Sequence, residues 1–168
     1  MERVWMALGS NLSAPLQQVN TALEALKSLP YTRFIACSSY YRSYPLGPKD
    51  QPDFLNAVVA LDTTLDPETL LDYIQKIELR QGRIRKEHRF GARTLDLDIL
   101  LFADRIISTA RLTVPHYDMH NREFTLYPLA ELAPNLVLPD GIALAKHLRQ
   151  VPLNGLVYWD EEHRYYKK

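Results

Sequence analysis

The segment Thr94-Leu-Asp-Leu-Asp-Ile-Leu-Leu-Phe102 is the clearest strand in this chain of 168 residues. The strand period of two places Asp96 and Asp98 on one face and the intervening apolar side chains on the other. Burying two neighbouring carboxylates without a partner is costly, so a bound cation is one resolution. The alternative is that this face of the strand is simply solvated.

Apolar periodicity outside this segment predicts the remaining elements. The expected elements are a strand at 4–8, a helix from Pro15 towards Pro30, strands at 34–41 and 57–61, a helix begun by Asp66-Pro67 and stopped near Gly82, a turn at Ala103-Asp104 followed by a strand at 105–107, and short helices at 124–132 and 142–149. The order is that of an α+β, ferredoxin-like βαββαβ core: an antiparallel sheet with helices packed on it and additional C-terminal short helices. We expect a single domain over 1–159 and a charged tail over 160–168.

Composition restricts the class of protein. Lys and Arg number 20, as do Asp and Glu, so no global charge attracts nucleic acid or an anionic membrane. The one cysteine, Cys37, has no internal disulfide partner, and no apolar run reaches the roughly 18 residues of a membrane span. We expect a cytoplasmic protein, a monomer, with neither nucleic acid nor membrane as partner.

Basic residues crowd into the segment just before the Asp-bearing strand. They are Arg80, Arg83, Arg85, Lys86, Arg89 and Arg93. One interpretation of cations beside two carboxylates is a network of surface ion pairs, each of which contributes little. However, guanidinium groups match phosphate oxygens, and Mg²⁺ held by few carboxylates is completed by substrate phosphates. A metal-nucleotide site explains both features, although the common nucleotide-binding glycine motifs are absent from the sequence.

Other polar residues have both a functional and a structural interpretation. Gln75 and Glu78 lie near the end of the second helix, where they are either exposed helix residues or hydrogen-bond partners of a nucleotide. Asn56 is either a turn residue or an amide that reads a heterocycle. His116 and His120 have metal-ligand spacing but no third ligand at a recognisable distance, so His116 is better interpreted as a phosphate donor or a structural histidine.

Several motifs together resemble the family of 6-hydroxymethyl-7,8-dihydropterin pyrophosphokinase, an enzyme of folate synthesis. The most specific is Arg93-Thr-Leu-Asp-Leu-Asp98. The supporting motifs are Gly9-Ser-Asn-Leu12, Pro45-Leu-Gly47, Gln51-Pro-x-Phe-x-Asn56, Glu78 with Arg83, and Leu112-Thr-Val-Pro-His-Tyr117 followed by Arg122 and Phe124.

The resemblance implies a role for each matching residue. Asp96 and Asp98 would bind two Mg²⁺ ions, and Arg83 and Arg93 would act with them in catalysis. The implied ATP site comprises Gln75, Glu78, Arg85, Arg93, Ile99, Arg111, Leu112, Thr113, His116, Tyr117 and Arg122. The implied pterin site comprises Ser43, Leu46, Phe54, Asn56 and Phe124, with the two phenylalanines stacking on the ring, and Phe90 would belong to a closing loop.

The implied reaction moves a pyrophosphoryl group from ATP to the hydroxymethyl group of the pterin and releases AMP. Phe54, Phe90 and Tyr44 depart from residues that are common in the family, and these departures affect affinity and loop packing rather than reaction type. Two alternatives remain: a ferredoxin-like RNA-binding module, and a nucleotide- or pterin-binding domain without catalysis.

Overall fold

The computed structural model of the chain describes residues 1–12, 14–44, 51–82 and 94–160. Within these ranges there are eight strands, four α-helices and one short 3₁₀ helix. They are β1 Glu2–Ser10, α1 Pro15–Lys27, β2 Thr32–Cys37, β3 Tyr41–Ser43, β4 Phe54–Thr63, α2 Pro67–Arg80, β5 Asp96–Phe102, β6 Ile107–Ser108, β7 Thr113–Val114, the 3₁₀ helix Met119–Asn121, α3 Glu123–Leu132, α4 Leu144–Gln150 and β8 Val157–Tyr158.

The main sheet is antiparallel, in the order β5-β1-β4-β3-β8, and β2 also pairs with β4. β4 is long enough to pair with β2 along its second half, where Thr63 faces Thr32, and with β3 along its first half, where Asn56 faces Tyr41. Counting β2 and β3 as one interrupted strand gives the ferredoxin-like order, and the predicted fold class is confirmed.

The interruption between β2 and β3 differs from the prediction of one strand over 34–41. At the break, Ser38 N donates to Val58 O at 2.8 Å, and the Ser38 hydroxyl accepts from Val58 N at 2.9 Å. The next residue, Ser39, donates from its backbone N to the Glu131 carboxylate at 3.0 Å. Serine side chains and a glutamate therefore replace regular ladder bonds, which is how such residues compete with secondary structure.

Apolar clusters lie on both faces of the sheet. On one face, Val19 and Leu26 of α1 and Ile74 of α2 pack with the strand residues Met6 and Leu8. The second cluster, on the opposite face, joins helices α3 and α4 to β1, β4 and β5; its members include Trp5, Val58, Leu100, Leu126, Leu129 and Leu144. The C-terminal helices thus give the sheet a second covered face.

Helix α2 begins and ends where the sequence predicts. The Asp66 side chain caps it by accepting from Thr69 N at 3.3 Å, and Pro67 occupies the first turn. Gly82, with a φ of 89°, follows its end. None of the helices in the described ranges combines the length and apolar composition needed to cross a bilayer.

The strand predicted at 105–107 is instead β6, Ile107–Ser108. Arg105 belongs to the preceding turn, because its backbone N donates to Phe102 O at 3.0 Å. Its guanidinium extends to the Glu2 carboxylate at 2.6 Å. The charged side chain therefore holds this residue in the turn, and the strand starts two residues later.

Candidate active site

A row of residues crosses the main sheet from the predicted metal ligands to the predicted pterin ligands. Asp96 of β5 faces Gly9 of β1, and Gly9 faces Asn56 of β4. Directly opposed residues of an antiparallel sheet point to the same side, and neighbouring strands lie about 4.8 Å apart. The backbones at Asp96 and Asn56 are therefore about 10 Å apart, with only a glycine between them.

Gly9 keeps the space in this row open. A methyl group on its Cα would lie 3.4 Å from Asn56 Nδ2 and 4.0 Å from Phe54 Cδ1. A single methyl group is therefore accommodated, but a larger side chain would collide with Asn56 or fill the space in front of it.

The two aspartates are held on an edge strand by bonds to its backbone. Asp96 and Asp98 are both partly buried, whereas Leu97 between them is directed into the core. The buried Glu78 side chain of α2 accepts a hydrogen bond from Leu97 N at 2.8 Å. The Ser10 hydroxyl donates to Thr94 O and joins the approach to β5 to the end of β1. These bonds fix the strand that presents the carboxylates.

Ser43 and Asn56, two predicted pterin ligands, contact each other. Both side chains are buried, and the Ser43 hydroxyl donates to Asn56 Oδ1. The amide is thereby oriented with its oxygen towards β3 and its nitrogen towards Gly9. An oriented amide beside a residue that lacks a side chain can recognise the edge of a polar ring.

Arg122 links the predicted ATP and pterin residues. Its guanidinium carbon lies 5.9 Å from the centre of the Tyr117 ring and 5.5 Å from that of Phe124. Its Nε donates to Asp118 Oδ2 at 3.0 Å. The carboxylate holds the guanidinium between the two rings, within the range of cation–π attraction.

Arg111 and Gln75, both predicted to bind ATP, also come together. Arg111 reaches Gln75 Oε1 at 3.2 Å and Asp72 Oδ1 at 2.6 Å, and it lies 3.6 Å from Glu68 Oε1. The Arg111, Asp72 and Glu68 side chains are all about half-exposed, so these ion pairs are individually weak and can exchange for a phosphate.

The His116 ring is oriented by its neighbours. Its Nδ1 accepts from Asp118 N at 3.3 Å, and its backbone N donates to Leu100 O at 2.9 Å. The ring stacks on Tyr117 with centres 4.8 Å apart, and both residues border a cavity of about 230 Å³. A ligand that enters this cavity can therefore contact both residues.

Of the remaining predicted site residues, three lie within the described residues and five lie outside them. Ile99 and Leu112 are buried in the apolar cluster, whereas Thr113 is exposed in β7, so any contact of the first two with ATP would come through their backbone. The other five lie outside the described residues: Leu46, Arg83, Arg85, Phe90 and Arg93. The roles predicted for all of these residues stay predictions.

Two residues of the site were identified in the sequence only as part of a motif and had no role assigned. Gly9 provides the gap described above. Asn11, which is 1% exposed, donates from Nδ2 to Gln51 Oε1 at 2.8 Å and to Pro52 O at 2.9 Å. Asn11 therefore joins the end of β1 to the approach to β4. The turn signal of Gly9-Ser-Asn-Leu12 was visible, but its partners lie some 40 residues away.

Comparisons with known proteins identify the family of the chain. Residues 5–134 match the family model described as 7,8-dihydro-6-hydroxymethylpterin-pyrophosphokinase. The chain is 55% identical over 156 residues to the 2-amino-4-hydroxy-6-hydroxymethyldihydropteridine pyrophosphokinase of Pseudomonas aeruginosa, covering 93% of this chain and 96% of the relative. It is 51% identical over 150 residues to the protein of the same name from Haemophilus influenzae, covering 89% and 93%.

Solved structures show the same fold at low sequence identity. The wild-type HPPK-DHPS of Plasmodium falciparum with pteroate aligns with a TM-score of 0.71 and 16% identity, over 89% of this chain. This chain spans 42% of the length of that protein. Taken with the family model and the two bacterial relatives, these findings show that the chain belongs to the 7,8-dihydro-6-hydroxymethylpterin-pyrophosphokinase family.

Proposed function

We propose that this chain transfers a pyrophosphoryl group from ATP to the hydroxymethyl group of 6-hydroxymethyl-7,8-dihydropterin, in a site built on the row Asp96–Gly9–Asn56. That row is the observation on which the proposal rests. It places carboxylates suited to a metal and a buried amide suited to a pterin on one face of the sheet, with a residue lacking a side chain between them.

The pterin would bind beside Asn56. Its flat ring needs aromatic faces to stack on and polar groups at its edge. Phe54 borders the gap at Gly9, and Asn56, oriented by Ser43, supplies donor and acceptor atoms. Phe124 is the second proposed ring wall, and Arg122 contacts it from the nucleotide side.

The donor set on β5 fits Mg²⁺. Asp96 and Asp98 offer carboxylate oxygens on one face, and Mg²⁺ is held by one or two such groups with the rest of its octahedron left to water and phosphate. Bound with ATP, Mg²⁺ would neutralise charge on the transferring phosphate oxygens. Two ions are proposed, and Asp96 and Asp98 would hold them.

The protein's own contribution is positioning. The hydroxymethyl oxygen attacks the β-phosphorus of ATP, the bond from that phosphorus to the α-phosphate oxygen breaks, and AMP leaves while the hydroxyl proton passes to solvent. Glu78 and Ser10 hold β5, and through it the two carboxylates, in register with β1. Arg83 and Arg93 are proposed to stabilise developing charge, and Phe90 to help close the site against water.

The alternatives have less support. An RNA-binding module and a non-catalytic binding domain are not favoured, because the chain matches the pyrophosphokinase family along most of its length. We also propose that the chain acts as a monomer in the cytoplasm, where ATP is available. Size-exclusion chromatography with light scattering tests the first of these two points, and a dimeric mass would contradict it.

The experiment for the main proposal compares Asp98→Asn with Asp104→Asn. Asp104 is an exposed acid in the turn after β5, so its variant has the same change of charge outside the site. AMP release from ATP, with Mg²⁺ and 6-hydroxymethyl-7,8-dihydropterin present, is expected to depend on the pterin and to fall about 100-fold or more in Asp98→Asn. Asp104→Asn should retain full activity.

AMP release that does not require the pterin would contradict the proposed substrate. Activity in Asp98→Asn equal to that of Asp104→Asn would contradict the role of the β5 carboxylate. Circular dichroism of both variants confirms that each is folded, so a loss of activity can be assigned to the site.

A further inference from the structure

Three potential metal ligands, none of them on β5, lie together in the C-terminal part of the described chain. They are His120 of the 3₁₀ helix, Asp140 in the turn before α4, and His147 of α4. One ligand atom of each lies within 4.8 Å of one atom of each of the others. The sequence spacing had suggested a pair of His120 with His116, but the fold brings His120 two other partners from more distant parts of the chain.

We propose that His120, Asp140 and His147 form a binding site for a divalent transition-metal ion, with Zn²⁺ as the best match. Two imidazoles and a carboxylate are the ligand set of many zinc sites that keep a fourth position open. Imidazole nitrogen also favours Zn²⁺ over Mg²⁺, which prefers all-oxygen ligands. The site therefore differs in chemistry from the one on β5.

The distances require only a small contraction. Ligand atoms bound to one tetrahedral Zn²⁺ at about 2.0–2.1 Å lie about 3.3 Å from each other. The present upper limit of 4.8 Å is about 1.5 Å longer. Asp140 is exposed and the two histidines are only partly buried, so rotation of side chains can supply this movement without a change of backbone.

The local contacts favour a metal over a simple pair of stacked rings. His120 and His147 meet edge to face, with centres 4.7 Å apart and an angle of 67° between their planes. Yet His147 Nε2 is buried and has no hydrogen-bond partner among the described residues. An unsatisfied buried ring nitrogen is unfavourable, and coordination to a metal would satisfy it.

A backbone hydrogen bond within its own turn orients the Asp140 carboxylate. Asp140 Oδ1 accepts from Ile142 N at 2.9 Å, which orients the carboxylate. His120 and Asp140 border the cavity of about 230 Å³ shared with His116 and Tyr117. The fourth metal position would open towards this cavity and hold a water molecule. A bound ion would thus fasten α4 to the 3₁₀ helix beside the proposed nucleotide site.

The test uses the full chain, stripped of metal with a chelator and titrated with ZnCl₂ by calorimetry. An excess of Mg²⁺, without ATP, is included to compete with Zn²⁺ for the oxygen ligands of β5. One Zn²⁺ should bind per chain. At a free Zn²⁺ concentration 100 times the Kd, the midpoint of thermal unfolding should rise by roughly 5–10 °C.

The variants His120→Gln, Asp140→Asn and His147→Gln should each weaken Zn²⁺ binding by about tenfold or more, because even the loss of a residue outside the ligand shell costs that much in known sites. Asp104→Asn, which changes an exposed carboxylate in the turn after β5, is the control and should bind like the parent chain. Co²⁺ bound to the parent should show the visible absorption of a four-coordinate site, and that absorption should be absent in His120→Gln.

Failure of the parent chain to bind Zn²⁺ overturns the proposal, as does Zn²⁺ binding by all three ligand variants that is as tight as that of the parent. Asp140→Asn changes an exposed side chain and keeps the experiment decisive if a histidine variant does not fold. None of these measurements uses enzyme activity, so the outcome is independent of the proposed pyrophosphoryl transfer.

Discussion

Replacing Glu78 by alanine separates two roles for this residue: a ligand of ATP, and a support for the strand that holds the aspartates. Glu78 is 6% exposed, and it accepts from Leu97 N at 2.8 Å, at the residue between Asp96 and Asp98. β5 lies at the edge of the sheet and pairs with β1 alone among the described strands. The Glu78 carboxylate therefore supplies a hydrogen bond that a second neighbouring strand would otherwise supply.

The expected loss of stability can be estimated from this bond. In Glu78→Ala the Leu97 N–H stays buried without its acceptor, and an unsatisfied buried donor costs about 1–3 kcal/mol. In a protein of this size each kcal/mol lowers the unfolding midpoint by about 2–4 °C, so a cost of 2 kcal/mol gives a fall of about 4–8 °C. Glu78→Gln keeps an oxygen acceptor in the same place and should lose less than half as much.

The assay combines thermal unfolding with steady-state kinetics of AMP release. If Glu78 supports β5, Glu78→Ala should lower kcat and raise the Mg²⁺ concentration needed for half-maximal activity, because Asp96 and Asp98 are less well held. Glu78→Gln should recover most of both. A direct ATP ligand would instead raise the KM for ATP at unchanged stability. A midpoint within 2 °C of the parent, or equal losses in the two variants, would refute the supporting role.

Two further predictions concern β1 and β4. Gly9→Val should raise the KM for the pterin about tenfold and have little effect on the KM for ATP, because the added methyl groups lie against Asn56. Equal effects on the two KM values would argue against the proposed position of the pterin. The Arg3 guanidinium holds the pKa of Asp62 below its usual value by a bidentate hydrogen bond. The stability that this ion pair contributes is present above about pH 4 and is lost as the pH falls further and Asp62 is protonated. Asp62→Asn should therefore lower the free energy of unfolding by under about 1 kcal/mol at pH 7. It should also weaken the pH dependence of the unfolding midpoint between pH 5 and 3.

The order of the βαββαβ core could be predicted from the sequence because its elements carry strong local signals. Helix α2 shows this best: Asp66, Pro67 and Gly82 mark its two ends, and each lies where the pattern predicts. Two of the predicted boundaries that were wrong have a common cause. At Ser38 and at Arg105, a side chain makes a hydrogen bond to a part of the chain remote in sequence, and no local pattern records that partner.

The site could be predicted only in part for the same reason. The period of two was enough to place Asp96 and Asp98 on one face of a strand. The oxygen that binds the strand between them belongs to Glu78, which lies 19 residues before Leu97 in the sequence. No periodic pattern in the sequence indicates a contact over that separation. Asn11 is similar, since its amide bonds to Gln51 across 40 residues.

The position of the polar row follows from how the second helical layer covers the sheet. On the face that carries Asp96, Gly9 and Asn56, the second apolar cluster includes Val58 and Leu100, which lie further along β4 and β5. Along the strands, the row lies one or two pleats beyond that cluster. It is at the end of the sheet where β1 ends and where β4 and β5 begin. Carboxylates placed here avoid the desolvation that they would meet under α3 and α4, yet they remain attached to a rigid strand. Because the chain has no net charge, the proposed binding of a highly charged substrate would depend on local groups such as these carboxylates rather than on a global field.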